Sequence, residues 1–164
     1  MKLEESTRKY IFTGLFLFII IGLITAGVMG KKQDGVFHSD ELLYSTAVER
    51  LQARDYATAL SMLESIEARN SPSEAVNYMI GLAASNNGEV EKGIRHMQRS
   101  LDINPHKVED SLFMLQYGEM LITAEMSEEA QEVLERCAAL PVPESFPQYQ
   151  ERVAELQLQL SAQS

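Results

Sequence analysis

Four columns of residues recur along the chain at fixed spacing: Ala47, Gly81 and Gly118; Ala59, Gly93 and Ala130; Leu63, Met97 and Leu134; Ile66, Ser100 and Cys137. In every column the first step is 34 residues and the second is 37. A period of this length marks a unit of two short helices, whose apolar face stays bare until the next unit covers it. The best-formed unit runs from Asn77 to Pro105, NYMIGLAASNNGEVEKGIRHMQRSLDINP. Small residues in two columns let paired backbones approach, and larger apolar ones a turn away fill the space between units. The three extra residues of the second step fall at Val108 to Asp110, where they are expected to add a turn to the start of the fifth helix.

Punctuation supports this register. In Ser71-Pro72-Ser73-Glu74 the pattern predicts Ser71 as N-cap, Pro72 at the first helical position and Glu74 closing a capping box; Asn104-Pro105 repeats the cap-then-proline signal. Asp55-Tyr56, Gly88-Glu89 and Met126-Ser127 mark the turns inside the three pairs. Ser39 is the expected cap of the first helix, with Asp40 and Glu41 at its positive end. Beyond Pro141-Val142-Pro143 a last helix is expected over residues 146–162. Its Phe146, Tyr149, Val153, Leu156 and Leu160 fall at alternating three- and four-residue steps. A stack of helix pairs leaves its final apolar face bare, so a capping helix is expected there, a coiled-coil contact with another protein being the alternative. Aliphatic residues, Ala and Met dominate and Trp is absent, which suits an all-α fold.

The stretches RDYATALSMLESI, GEVEKGIRHMQRSLDINP and MSEEAQEVLERCAAL resemble the turn and second helix of the tetratricopeptide repeat, and the likeness extends over about residues 40 to 141. Ala47 stands where the family has Gly, Gly93 and Ser100 where it has Ala, and the tyrosine of the turn survives only as Tyr56. The resemblance implies a right-handed α-α superhelical solenoid of about three helix pairs, over residues 40–73, 74–107 and 108–143, with a capping helix within 144–164. It also implies a concave groove, lined by the first helix of each pair, that accepts a peptide or a partner helix. The matching stripes are Tyr44, Val48 and Leu51; Tyr78, Leu82, Ser85 and Asn86; Leu115, Glu119 and Ile122. Aromatic and aliphatic side chains there, with Asn86 and Glu119 as polar fixers, suit an apolar segment, and packing between repeats is the alternative use of each. Members of the family that hold a C-terminal carboxylate do so with Lys, Arg and Asn. Here the corresponding stripes carry Tyr44, Val48, Leu112 and Gln116, which argues against such a clamp.

From Tyr10 to Gly30 there is no charged residue, and the stretch is long enough to cross a hydrocarbon layer of roughly 30 Å at about 1.5 Å per residue. Residues 10–30 are therefore expected to form an uncleaved transmembrane helix, since Val28 and Gly30 before Lys31 make a poor signal-peptidase site. Lys2, Arg8 and Lys9 on one side, against Lys31 and Lys32 on the other, favour a cytoplasmic tail at residues 1–9 and an extracytoplasmic domain behind a tether at 31–39. Gly22, Ala26 and Gly30 at four-residue spacing offer a face for weak self-association.

Residues 33 to 164 hold nine Lys/Arg against twenty-two Asp/Glu, a net charge of about −13. A domain so acidic is repelled by phosphate backbones and anionic headgroups, which argues against nucleic acid as a partner. Cys137 is the only cysteine, and His38, His96 and His106 are isolated, so metal-ligand spacing is absent. Glu128, Glu129, Glu132 and Glu135 read as a solvated helix face. No cofactor, metal site or catalytic residue is expected. The reading is a single-pass membrane protein whose repeats bind a protein or peptide, as scaffold or assembly factor for a membrane or envelope complex. A periplasmic chaperone-like factor for unfolded or translocating clients, in secretion or cytochrome assembly, is the nearest alternative, and an enzyme using Cys137 or a histidine is the alternative of another class.

Overall fold

The computed structural model describes residues 18–19, 39–69 and 73–163. Among them are helices and turns, and no strand. Helix α1 covers residues 39–52, followed by α2 (Tyr56–Glu67), α3 (Glu74–Asn86), α4 (Val90–Ile103), a 3-10 helix at Pro105–Glu109, α5 (Ser111–Thr123), α6 (Ser127–Ala138) and α7 (Tyr149–Gln163). The chain divides into two units, Met1–Leu42 and Leu43–Ser164. In the first, Phe18 and Ile19 are helical and exposed. The tail at 1–9, the rest of the span expected over 10–30 with Gly22, Ala26 and Gly30, and the tether up to residue 38 lie outside the described residues. Among those described, no helix is long and apolar enough to cross a membrane.

In the second unit each helix packs on its sequence neighbour: α2 on α3, α3 on α4, α4 on α5, α5 on α6 and α6 on α7, with α7 also touching α5. This is the contact pattern of a one-dimensional stack. Every residue of the four columns is buried. The core falls into two apolar clusters. One joins Ala47 and the buried faces of α2 and α3; the other joins Ile94 and Met97 of α4 to α5, α6 and α7. Between them lies the seam of α3 and α4, where Gly81 meets Gly93 and where the buried polar residues Asn77, His96 and Ser100 are found.

The turns inside the three pairs share one conformation. Arg54, Gly88 and Glu125 have φ of 59°, 89° and 60°, spaced by the same 34 and 37 residues as the columns. After each, the next amide reaches back to a carbonyl five residues earlier: Asp55 to Arg50 at 2.9 Å, Glu89 to Ala84 at 2.9 Å and Met126 to Leu121 at 3.0 Å. The residue in the left-handed region bonds Leu51, Ser85 and Ile122 in turn. These are Schellman endings, which satisfy carbonyls that the first helix of each pair leaves open.

Several local expectations are corrected. Ser73, not Ser71, caps α3, its hydroxyl accepting from Val76 N–H at 3.5 Å, so Glu74 is the first helical residue. Ser39 is already helical. Asn104 does cap a helix that starts with Pro105, but that helix is the separate 3-10 turn. The three extra residues go into this connection, and Asp110 then caps α5 by accepting from Phe113 N–H at 3.1 Å. Phe146 precedes α7, between two turns, while packing on the second cluster.

Helix α7 buries Tyr149, Val153, Leu156 and Leu160 in that second cluster. Polar groups stitch it to the end of α6: Tyr149 donates its hydroxyl to the Cys137 carbonyl at 3.0 Å, and Gln150 donates to the Leu140 carbonyl at 3.2 Å. The open carbonyls of a helix C-terminus are thereby satisfied by the next helix.

Candidate functional site

On the first-helix stripes, the structure separates residues that the sequence treated alike. Tyr44, Val48 and Leu51 of α1 are half-buried, and Tyr44 and Leu51 pack against the first cluster. Burial pushes the Tyr44 hydroxyl pKa up, helped by the charge of Glu74 and opposed by Lys107. Tyr78 is tied into the stack. Its hydroxyl donates to Gln116 Oε1 at 2.7 Å, and its ring lies 5.4 Å from that of Phe113 at 46°. Lys107 Nζ sits 5.2 Å from the Tyr78 ring centroid and 5.6 Å from that of Phe113, while pairing with Asp110 at 3.0 Å and Glu74 at 3.5 Å. A cation over two aromatic faces with two carboxylates beside it is a local clamp between units. Burial followed by the charge of Asp110 raises the Tyr78 pKa.

Leu115 and Ile122 are only 5% and 6% exposed, so they belong to the core and not to a groove surface. They join the cluster that also holds Tyr149, Val153, Leu156 and Leu160 of α7. The remaining four stripe residues do come together. Leu82, Ser85 and Asn86 of α3 face Gln116, Glu119, Met120 and Thr123 of α5 across a cleft of about 390 Å³, whose far side is formed by Arg152 of α7. With Leu115 and Ile122 withdrawn, the walls are mostly polar, which corrects the expectation of a site for an apolar segment.

Glu119 is held from across the cleft. Arg152 Nε and Nη2 each lie 2.8 Å from Glu119 Oε1, and Nη1 lies 2.7 Å from Glu155. Asn86 donates to the Leu82 carbonyl at 2.8 Å and Thr123 to the Glu119 carbonyl at 2.8 Å, both within their own helices. Arg152 was missed from the sequence because its helix reads as a Gln- and Glu-rich outer face. Met120 and Thr123 were missed because each falls one residue after a stripe position, Glu119 and Ile122. Glu119 and Thr123, one turn apart on α5, were the available signal for that wall.

Cys137 and His96 lie outside the residues that line the cleft. Cys137 is fully buried and burial raises its thiol pKa, which disfavours the nucleophilic thiolate. His96 is buried with Nδ1 2.9 Å from Asn77 Oδ1, and Asn77 Nδ2 donates to the Ser73 carbonyl at 2.9 Å. Among the described residues, no group of three or more His, Cys, Asp or Glu is placed to hold a metal ion.

No sequence-family profile matches the chain, and no curated protein matches it in sequence. Solved structures do. The Yersinia enterocolitica type III secretion chaperone SycD, in complex with a peptide of the translocator YopD, superposes with a TM-score of 0.63 at 17% identity, over 75% of this chain and 92% of that one. MamA (residues 41 to the end) from Desulfovibrio magneticus RS-1 matches with a TM-score of 0.54 at 26% identity, over 60% of this chain and 54% of that one. The Sgt2 TPR domain from Aspergillus fumigatus matches with a TM-score of 0.60 at 12% identity, over 77% and 83%.

Proposed function

We propose that this chain, whose fold is that of the tetratricopeptide repeats, is a membrane-anchored protein-binding module that holds a peptide segment in the cleft between α3, α5 and α7. One observation carries the reading. Leu82, Ser85, Asn86 and Glu119, all on the inner stripes of successive units, line a single open cleft whose side chains can pair with a peptide backbone. The peptide-bound state of SycD supports such a use of the fold. The uncharged run from Tyr10 to Gly30 supports the anchor, which would raise the module's effective concentration beside membrane partners. The role is then that of a scaffold or assembly factor, with the repeats outside the cytoplasm.

Site-specific photo-crosslinking in native membranes tests this. A probe at Asn86, exposed at the cleft, is expected to capture one protein, and a probe at the exposed Glu132 on α6 is expected not to. Equal capture from both positions, or none from Asn86, would sink the cleft reading. The chaperone-like reading, favoured by the likeness to a secretion chaperone, predicts instead many weakly captured clients from Asn86.

A further inference from the structure

The cleft keeps unused acceptors beside its charged groups. Asn86 gives one amide N–H to the Leu82 carbonyl, which leaves Oδ1 to accept and the second N–H to donate. Arg152 places both Nε and Nη2 on the same Glu119 oxygen, Oε1, and among the described residues Oε2 has no partner. Gln116 gives Oε1 to Tyr78 and keeps its amide as a donor. Glu119 and Glu155 also share one cation, Arg152, so the pair keeps one negative charge.

The wider field has the same sign. Residues 108–164 hold two cations, Arg136 and Arg152, against eleven Asp/Glu, about −9 of the −13 carried by residues 33–164. The third unit and α7 therefore concentrate the acidity that the first two units largely neutralise with their own ion pairs. A ligand that brings donors and positive charge meets complementary groups here, whereas a carboxylate meets a repulsive field.

We propose that this cleft selects a basic, extended segment of a partner protein, one Lys or Arg of which docks on Glu119 in the place that Arg152 holds in the chain alone. The inference rests on the cleft being the binding site, and adds the chemistry of what enters it. Arg152 acts as an internal stand-in for the incoming cation: it is 37% exposed, as is Glu119, so the pair is open to exchange. On displacement, Arg152 keeps Glu155 as its partner.

The test uses the full-length chain and three labelled peptides followed by fluorescence anisotropy: alanine alternating with arginine, its glutamate counterpart and its serine counterpart. The arginine peptide is expected to bind, more weakly as salt rises, and the other two to bind at least about tenfold less well. Glu119→Gln should weaken it about fivefold, while Glu132→Gln on α6, an equal change in charge, should leave it within about twofold. Arg152→Gln should tighten it about threefold, by vacating Glu119. That sign cannot come from a damaged fold, and circular-dichroism melting checks the other variants. Equal weakening by Glu119→Gln and Glu132→Gln would mean a diffuse field only and overturn the proposal, as would unchanged or weaker binding by Arg152→Gln. Indifference to peptide charge would overturn it while leaving the cleft reading standing, and failure of all three peptides to bind would take both down.

Discussion

A β-carbon built on Gly93 would lie 2.9 Å from the carbonyl oxygen of Gly81 and 3.0 Å from the Ser85 Cβ. The reverse substitution meets softer matter: a β-carbon on Gly81 would lie 2.9 Å from Met97 Sδ, the far part of a flexible side chain, and 3.3 Å from the Gly93 carbonyl. Backbone cannot yield where a thioether can. Gly93→Ala is expected to destabilise the chain by about 1–3 kcal/mol despite a helix-propensity gain of about 1 kcal/mol, and Gly81→Ala by clearly less. Urea unfolding followed by circular dichroism measures both. A Gly93→Ala variant as stable as the parent would remove close backbone approach as the reason for that glycine.

The three intra-pair turns need a left-handed residue, and two of them use a poor one. Arg54→Gly and Glu125→Gly should each raise stability by about 0.5–1 kcal/mol, because a side chain at φ near +60° is strained. Gly88→Ala should cost about 1 kcal/mol, and for conformational reasons alone, since nothing lies within 4 Å of the added carbon. Thermal melts of the three single variants are the measurement. Loss of stability in Arg54→Gly would show that its side chain contributes more than its backbone costs.

His96 gives stability a pH dependence. Burial lowers its pKa below the ordinary 6.5; Arg99 and Lys92 on its own helix act in the same direction, and Glu67 and Glu64 of α2 oppose them. Asn77 of α3 contributes Oδ1, an acceptor matched to a neutral ring carrying its proton on Nδ1. The unfolded chain therefore binds the proton more readily than the folded one, so stability is full above about pH 6.5 and falls as pH drops through the lowered pKa. His96→Gln should flatten the slope of stability against pH between about 7 and 5. An unchanged slope would assign the acid sensitivity to other groups.

Tyr149 and Cys137 report on whether α7 stays docked. Tyr149→Phe deletes one of the two hydrogen bonds to the Cys137 carbonyl, the other coming from Leu140 N–H at 3.1 Å. A cost of about 1 kcal/mol is expected. In the folded parent the Cys137 thiol should react with a thiol reagent only through opening, and in Tyr149→Phe about fivefold faster, in line with that cost. Rapid labelling of the parent under native conditions would contradict the burial of this helix end.

The register of the repeats was legible because it is written in local chemistry. Gly81 packs on Gly93 and Met97 of its own helix pair, and Gly118 on Leu134 of its own, so the residue types in the columns report their environment without knowledge of distant contacts. The turns were legible in position but not in conformation: only Gly88 advertises a positive φ, while Arg54 and Glu125 adopt it because the helix ends around them require it. The cap of α3 was misplaced by two residues because Ser71 and Ser73 are equivalent in propensity, and the choice depends on where the α3 backbone starts.

The sequence by itself determined the all-α class, the helix pairs, their 34- and 37-residue steps and the presence of a terminal amphipathic helix, since periodicity and nearest-neighbour packing need no long-range information. Tertiary structure alone decided which stripe residues remain available to a ligand. It buried Leu115 and Ile122 in the cluster shared with α7, tied Tyr78 to Gln116, and brought Arg152 onto Glu119 across 33 residues of chain. The physical reason is that a side chain on the inner face of a stack is covered or exposed according to the spacing of neighbouring units and the docking of the terminal helix. Both are set by many weak contacts summed over the stack, and no single residue's type reveals their outcome.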